Sequence, residues 1–190
     1  MNQYPGNRDP LLLLNWWATA FARNAAALPL DAAPTPLETL IGFQLAGSPA
    51  FIDLAWLTEI LPVGNLTRIP QVQPWMRGIV NVRGKLLPVV DGARFLGHPQ
   101  GASRAQRILV IGGEDFAAGL IVDRVEGLRR LPHDVFVAPE NLAEGPLRRY
   151  SVGGLADPER GLLPLFAPAL LFDDPRFRDA SLRDTASLSS

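Results

Sequence analysis

Glycine and proline interrupt this chain more often than any long helix tolerates. There are 17 glycines and 18 prolines in 190 residues, almost one residue in five, against a usual share of about 12%. Proline removes a backbone donor and glycine costs helix stability, so the pattern favours short strands joined by turns. Hydrophobic residues make up 47% of the chain, enough for a sizeable core. The length suits one domain, or two small subdomains sharing a core.

From Leu40 the apolar residues alternate. Ile41, Phe43 and Leu45 point one way, Gly47-Ser48-Pro49 turns, and Ala50-Phe51-Ile52 returns as a hairpin. Asp53 caps a helical turn over Leu54–Leu57, and Glu59–Val63 extends again. Val72–Met76 reads as a short helical connection closed by Gly78. Ile79–Val82 and Leu86–Val90 form a second hairpin turning at Arg83-Gly84. Asp91 caps a short helix that ends at Gly97, and His98–Gln106 is a loop. A third hairpin spans Arg107–Ile111 and Phe116–Val122, and another strand runs Val125–Leu131. Pro139–Arg149 is irregular, Val152–Leu155 and Leu162–Phe166 flank a turn at 157–160, and Pro168–Phe172 closes with a short helix. Nine or ten short strands without crossover-length helices give an antiparallel barrel pattern and exclude a doubly wound α/β sheet. No repeat of fixed period stands out, yet strands grouped on either side of the 98–106 loop suggest two small barrels.

Before Leu40 the pattern is helical. Asp9-Pro10 starts a helix as a carboxylate cap and a proline whose missing N–H costs nothing there. Leu13, Trp17, Phe21, Asn24 and Leu28 then recur on one stripe that must be covered. The apolar run of about twelve residues is too short to span a bilayer. Arg8 and Asp9 cancel, which removes the positive flank a secretion signal needs. The expectation is a helix whose Trp17 and Phe21 face the barrels or a partner, followed by a proline-rich linker to residue 37.

Candidate chemistry is sparse. The absence of cysteine excludes disulfides, thiolate metal sites and a cysteine nucleophile. His98 and His133 are too few for a zinc site and read as loop residues. Gly78 and Gly84-Lys85 fail as a phosphate loop in spacing, and Leu86 stands where a magnesium-binding hydroxyl belongs. Asp53, Asp91 and Asp123 follow apolar strands and read as turn caps rather than paired acids. No nucleophile elbow is present. A net charge of -1, with Arg129-Arg130 and Arg148-Arg149 as isolated pairs, argues against a β-barrel nucleic-acid module. The residues therefore support no catalytic group, no metal and no cofactor.

One stretch is distinctive. Leu66 to Asp91 runs through Thr-Arg-Ile-Pro, a Trp75 segment, Gly78-Ile-Val-Asn81-Val-Arg83-Gly84, and Lys85-Leu-Leu-Pro88-Val-Val-Asp91. It resembles the CheW family of bacterial chemosensory coupling proteins. Leu120-Ile-Val-Asp-Arg-Val-Glu-Gly-Leu128 and Ala138-Pro-Glu140 are similar to further family signatures, so the resemblance covers about residues 38–173. Trp75, the Asn-Val-Arg-Gly-Lys-Leu-Leu-Pro run and the apolar N-terminal helix look most like the variant serving type IV pilus twitching. One departure stands: Gly92-Ala93-Arg94 follows Asp91 where the family usually has Leu-Arg.

The resemblance implies a mainly β fold of two five-stranded SH3-like β-barrel subdomains with short helices, plus the extra N-terminal helix. The expected organisation is an N-terminal extension and linker over 1–37, a CheW-like domain over 38–173 and a flexible tail over 174–190. It implies a cytoplasmic, non-enzymatic adaptor at membrane receptor arrays. Such an adaptor couples a chemoreceptor's cytoplasmic tip to the regulatory domain of a CheA-type histidine kinase; a flagellar or other array is the alternative output. Receptor binding falls on Asn81, Arg83 and Gly84, and the barrel ends and exposed strand edges supply the kinase contacts. No cofactor, nucleic acid or membrane insertion is implied.

Overall fold

The structure, a computed structural model, describes residues 37–99, 101–112, 116–132, 135–157 and 160–181. The helix expected around Trp17 and Phe21, and His133, lie outside the described residues. Eleven strands appear among them: β1 (Leu37–Leu45), β2 (Ser48–Asp53), β3 (Leu57–Pro62), β4 (Met76–Val82), β5 (Lys85–Asp91), β6 (Arg107–Gly112), β7 (Ala117–Val122), β8 (Arg124–Pro132), β9 (Phe136–Val137), β10 (Ser151–Asp157) and β11 (Gly161–Phe166). The helices are short: α1 (Gly92–Phe95), α2 (Pro168–Phe172) and α3 (Pro175–Arg178).

The strands form two sheets, in the orders β8-β1-β2-β11-β10-β9 and β3-β6-β7-β5-β4. Apart from the two-residue edge β9, each is the five-stranded unit expected. The division of the chain differs from expectation. The 98–106 loop does not separate the units, because β3 to β7 form one sheet and the chain on both sides of them forms the other. Alternation identifies a strand but not its partner, and the deciding pairs are non-local parallel ones, β2 with β11 and β5 with β7.

Three apolar clusters hold the fold together. One lies within each curled sheet, around Leu40, Phe51, Leu155 and Leu165 and around Val82, Val89, Ile108 and Ile121. The third joins the two units through Ile41, Phe43, Leu45, Ile52, Leu109, Leu120, Tyr150 and Phe166. Successive residues of a strand face opposite sides, so Leu40 enters one core and Ile41 the next. Leu40–Phe43 of β1 and Ala50–Ile52 of β2 are thus buried on both faces.

The two sheets repeat one pairing scheme, antiparallel, antiparallel, parallel, antiparallel. The register aligns their sequences as well. Leu86-Leu87-Pro88 in one sheet answers to Leu162-Leu163-Pro164 in the other, with Pro88 and Pro164 opposite Ile79 and Gly154, and an arginine lies in the turn before each. Each sheet also curls until a turn arginine meets a glutamate from its far edge strand. Arg83 pairs with Glu59 on β3, and Arg160 with Glu126 on β8.

Two other expectations are corrected. Val72–Met76 is not helical: Val72 bridges Ser181, and β4 begins at Met76. Gly78 closes nothing; it sits at a bulge in β4 with φ 135°, and a Cβ there would lie 2.2 Å from the Thr67 carbonyl oxygen. That close approach lets Thr67 exchange two hydrogen bonds with Ile79, at 3.0 and 2.9 Å. The described fold also continues past residue 173. Phe177 of α3 is buried in the central cluster, stacked on Trp75 and edge-on to Phe95. Asp174, buried, accepts hydrogen bonds from Tyr150 Oη at 2.6 Å and from Arg176 at 3.0 Å. Hydrogen bonding to Arg176 holds its carboxyl well below the usual carboxylate range.

Candidate partner-binding hairpin

β4 and β5 pair from Met76↔Val90 to Val82↔Lys85, which leaves Arg83 and Gly84 as a two-residue turn. Both have positive φ, 52° and 84°, as a type I′ turn requires. Gly84 is there for its backbone alone, since a Cβ would meet nothing within 4 Å. Arg83 is the residue that conformation does not favour, because a side chain in the left-handed region costs about 1–2 kcal/mol. Two contacts help hold it. Asn81 Oδ1 accepts from the Gly84 N–H at 2.9 Å, and Arg83 Nε lies 3.2 Å from Glu59 Oε2.

The arginine remains 75% exposed, so the pair is worth at most about 1 kcal/mol. Its geometry is electrostatic rather than hydrogen-bonded, because Glu59 Oε2 is shielded from solvent and takes no hydrogen bond among the described residues. The contact therefore aims the guanidinium without occupying its fork of donors.

Alternation sorts the rest of the hairpin. Val80, Val82, Leu87 and Val89 face the core of this sheet. The opposite face carries the cross-strand pairs Ile79–Pro88 and Asn81–Leu86. Leu86 is 67% exposed, an apolar platform beside a cation. The structure thus places Asn81, Arg83 and Gly84 together at one tip, with Asn81 serving the turn and Arg83 facing solvent. Glu59 is the residue missed from sequence. The signal was present: with Leu57 and Leu61 it occupies the more buried phase of β3, where an acid needs a partner.

The other candidates resolve into local structure. Asp53 Oδ1 accepts from Ala55 N–H at 2.8 Å, and burial pushes its carboxyl pKa up. Asp91, buried, caps α1 through the Arg94 N–H and pairs with Arg77 at 3.1 Å. Asp123 Oδ2 accepts from the Gly47 N–H in the β1–β2 turn at 2.8 Å. Each serves a different turn. Arg148 and Arg149 pair with Glu144 and Asp174. His98 is an exposed residue whose N–H closes the end of α1. At the departure from the family pattern, Gly92 is buried so closely against Leu45 and the Ile121 carbonyl that a side chain would force a shift; Ala93 and Phe95 pack the helix instead. Among the described residues no three acidic or histidine side chains are placed to hold a metal, and no helix is long and apolar enough to cross a membrane.

Comparisons with known proteins point to one family. The profile of the CheW-like domain matches residues 39–175. Protein PilI of Pseudomonas aeruginosa is 34% identical over 161 residues, 84% of this chain and 89% of PilI. Protein FrzA of Myxococcus xanthus is 36% identical over 104 residues, 54% of this chain and 65% of FrzA. The crystal structure of the scaffolding protein TtCheW from Thermoanaerobacter tengcongensis superposes with a TM-score of 0.61 at 24% identity, over 68% of this chain and 88% of that one.

Proposed function

The chain belongs to the CheW-like domain family, and from that membership we propose that it is a non-enzymatic scaffold coupling a chemoreceptor to a CheA-type histidine kinase. The reading places it on the cytoplasmic side of a receptor array that controls type IV pilus twitching. Likeness to PilI across most of both chains supports the pilus branch, as does the Asn-Val-Arg-Gly-Lys-Leu-Leu-Pro run at the β4–β5 turn. The resemblance implies a coiled-coil receptor tip, and a carboxylate beside apolar residues on one of its helices is what this hairpin suits. Arg83 forks onto such a carboxylate while Leu86 and Ile79 meet the apolar part of the same helix. The barrel ends and exposed strand edges take the kinase's own CheW-like regulatory domain.

The observation that carries this reading is the exposed Arg83, held on a turn by Asn81 and aimed by Glu59. Arg83→Glu should leave the fold intact and weaken receptor co-sedimentation roughly thirtyfold, the loss of a hot spot worth about 2 kcal/mol. The charge swap Arg83→Glu with Glu59→Arg separates aiming from contact, since it restores the internal pair but not the cation at the tip. Binding that returns to the wild-type level in the swap, or that Arg83→Glu alone leaves unchanged, removes Arg83 from the receptor interface.

A further inference from the structure

β8 is an edge strand, and one face of the β1–β8 pair runs out from between the two units into solvent. Register defines that face. Phe43 sits opposite Val125, Ile41 opposite Leu128, Thr39 opposite Arg130, and Leu37 opposite Pro132. At the inner end Phe43 and Ile41 are buried in the central cluster and Val125 packs against it. Outward the cover ends: Leu128 is 51% and Leu37 59% exposed. Leu54, a third exposed large apolar residue, begins the turn that leaves β2 beside this end of β1. Among the described residues, three of the six exposed large hydrophobic side chains thus gather at the start of β1.

The sequence that precedes β1 carries an apolar stripe at helical spacing. Thirty-six residues lead to Leu37, and among them Leu13, Trp17, Phe21 and Leu28 repeat at helical spacing. A helix over residues 11–28 is about 27 Å long, and the ledge from Leu37 to Phe43 about 20 Å. The linker from Leu28 to Leu37 reaches roughly 28 Å when extended, as its prolines favour. Leu128 lies only about 14 Å along the strand from Leu37, so the stripe can fold back onto the ledge. Tethering raises its local concentration there to the millimolar range, far above that of any free competitor.

We infer that residues 11–28 of this chain lie along the β1–β8 ledge, with Trp17 and Phe21 covering Leu37 and Leu128. The inference goes beyond coupling and stands whether or not Arg83 meets a receptor.

The chain has no cysteine, which makes thiol cross-linking a clean test. Arg130 shares the ledge face, whereas Ser103 lies in the exposed loop before β6. Full-length protein carrying Ala20→Cys with Arg130→Cys, at low micromolar concentration with oxidised glutathione, should form an intramolecular disulfide about tenfold faster than Ala20→Cys with Ser103→Cys. The product is read by mass spectrometry of peptides from the monomer. Adding Trp17→Ser and Phe21→Ser should abolish that preference, since the tether alone then remains. Equal rates at both positions, no intramolecular link, or a preference that survives loss of both aromatic residues would each overturn the docking. Links only between molecules would assign the stripe to a second copy and overturn it as well.

Discussion

The segment after Asp173 offers the sharpest test of how this fold is held. Phe177 lies on a helix of only four residues close to the described end, where chain termini usually contribute little. Yet it is only 8% exposed, with its ring 6.3 Å from Trp75, 5.7 Å from Phe95 and 5.7 Å from Phe172. Replacing a buried phenylalanine by alanine costs about 3–5 kcal/mol. Three aromatic neighbours, each worth about 0.5–1.5 kcal/mol beyond area, push toward the upper end; the freedom of a short terminal helix to settle into the gap pulls toward the lower. We take about 3 kcal/mol for Phe177→Ala. In a domain of this size that lowers Tm by roughly 10 °C, with an unchanged urea m-value. Thermal melts followed by far-ultraviolet circular dichroism and by tryptophan fluorescence should shift together, because Trp75 belongs to the same cooperative unit. An unaltered Tm with only a changed fluorescence baseline would mean that the segment frays independently, and the reasoning from burial to stability would fail.

Three further outcomes follow from the geometry. Gly78→Ala sets a methyl group against the Thr67 carbonyl at an unfavourable φ, so it should cost about 2–4 kcal/mol in urea unfolding, whereas Gly64→Ala, with open space around it, should stay within about 0.5 kcal/mol. Asn81→Ala removes the acceptor for Gly84 N–H; it should lower stability by about 1 kcal/mol and broaden the nuclear magnetic resonance signals of the turn. Hydrogen bonding to Arg176 depresses the Asp174 carboxyl in the folded state, so the unfolded chain takes up that proton more readily. The stabilisation is complete at neutral pH and is lost as pH falls below about 4; Asp174→Asn should flatten that acid limb, measured as Tm against pH.

Much of the hairpin was legible because its determinants are local. Arg83-Gly84 between apolar runs specifies the turn, and Asp53 and Asp91 at strand ends specify caps, each from a few neighbouring residues. The partition of strands was hidden, because β2 closes its sheet by pairing with β11, far along the chain. Gly78 misled for a related reason. A glycine after a polar stretch reads as a helix stop, but here it answers to the approach of Thr67, which no local pattern encodes. Phe177 was hidden by its surroundings in sequence, where charges and proline around one aromatic residue look like a tail. Glu59 lay between, visible as an acid on the more buried phase of β3 but without any sign of the arginine it meets.

The interleaving of the two units sets a timetable for biosynthesis. The inner sheet, β3 to β7, has all its strands once residue 122 has left the ribosome. The outer sheet begins earlier but must wait for β11, ending at residue 166. At roughly 5–20 residues per second that interval lasts about 2–9 s. During it the first hairpin lacks its β11 partner, and Phe166 is not yet there to meet the Phe43 ring. A nascent chain in that window displays an apolar sheet face without its cover, which is what a holding chaperone recognises. The last strand of the outer sheet to be made is therefore the one that covers that face.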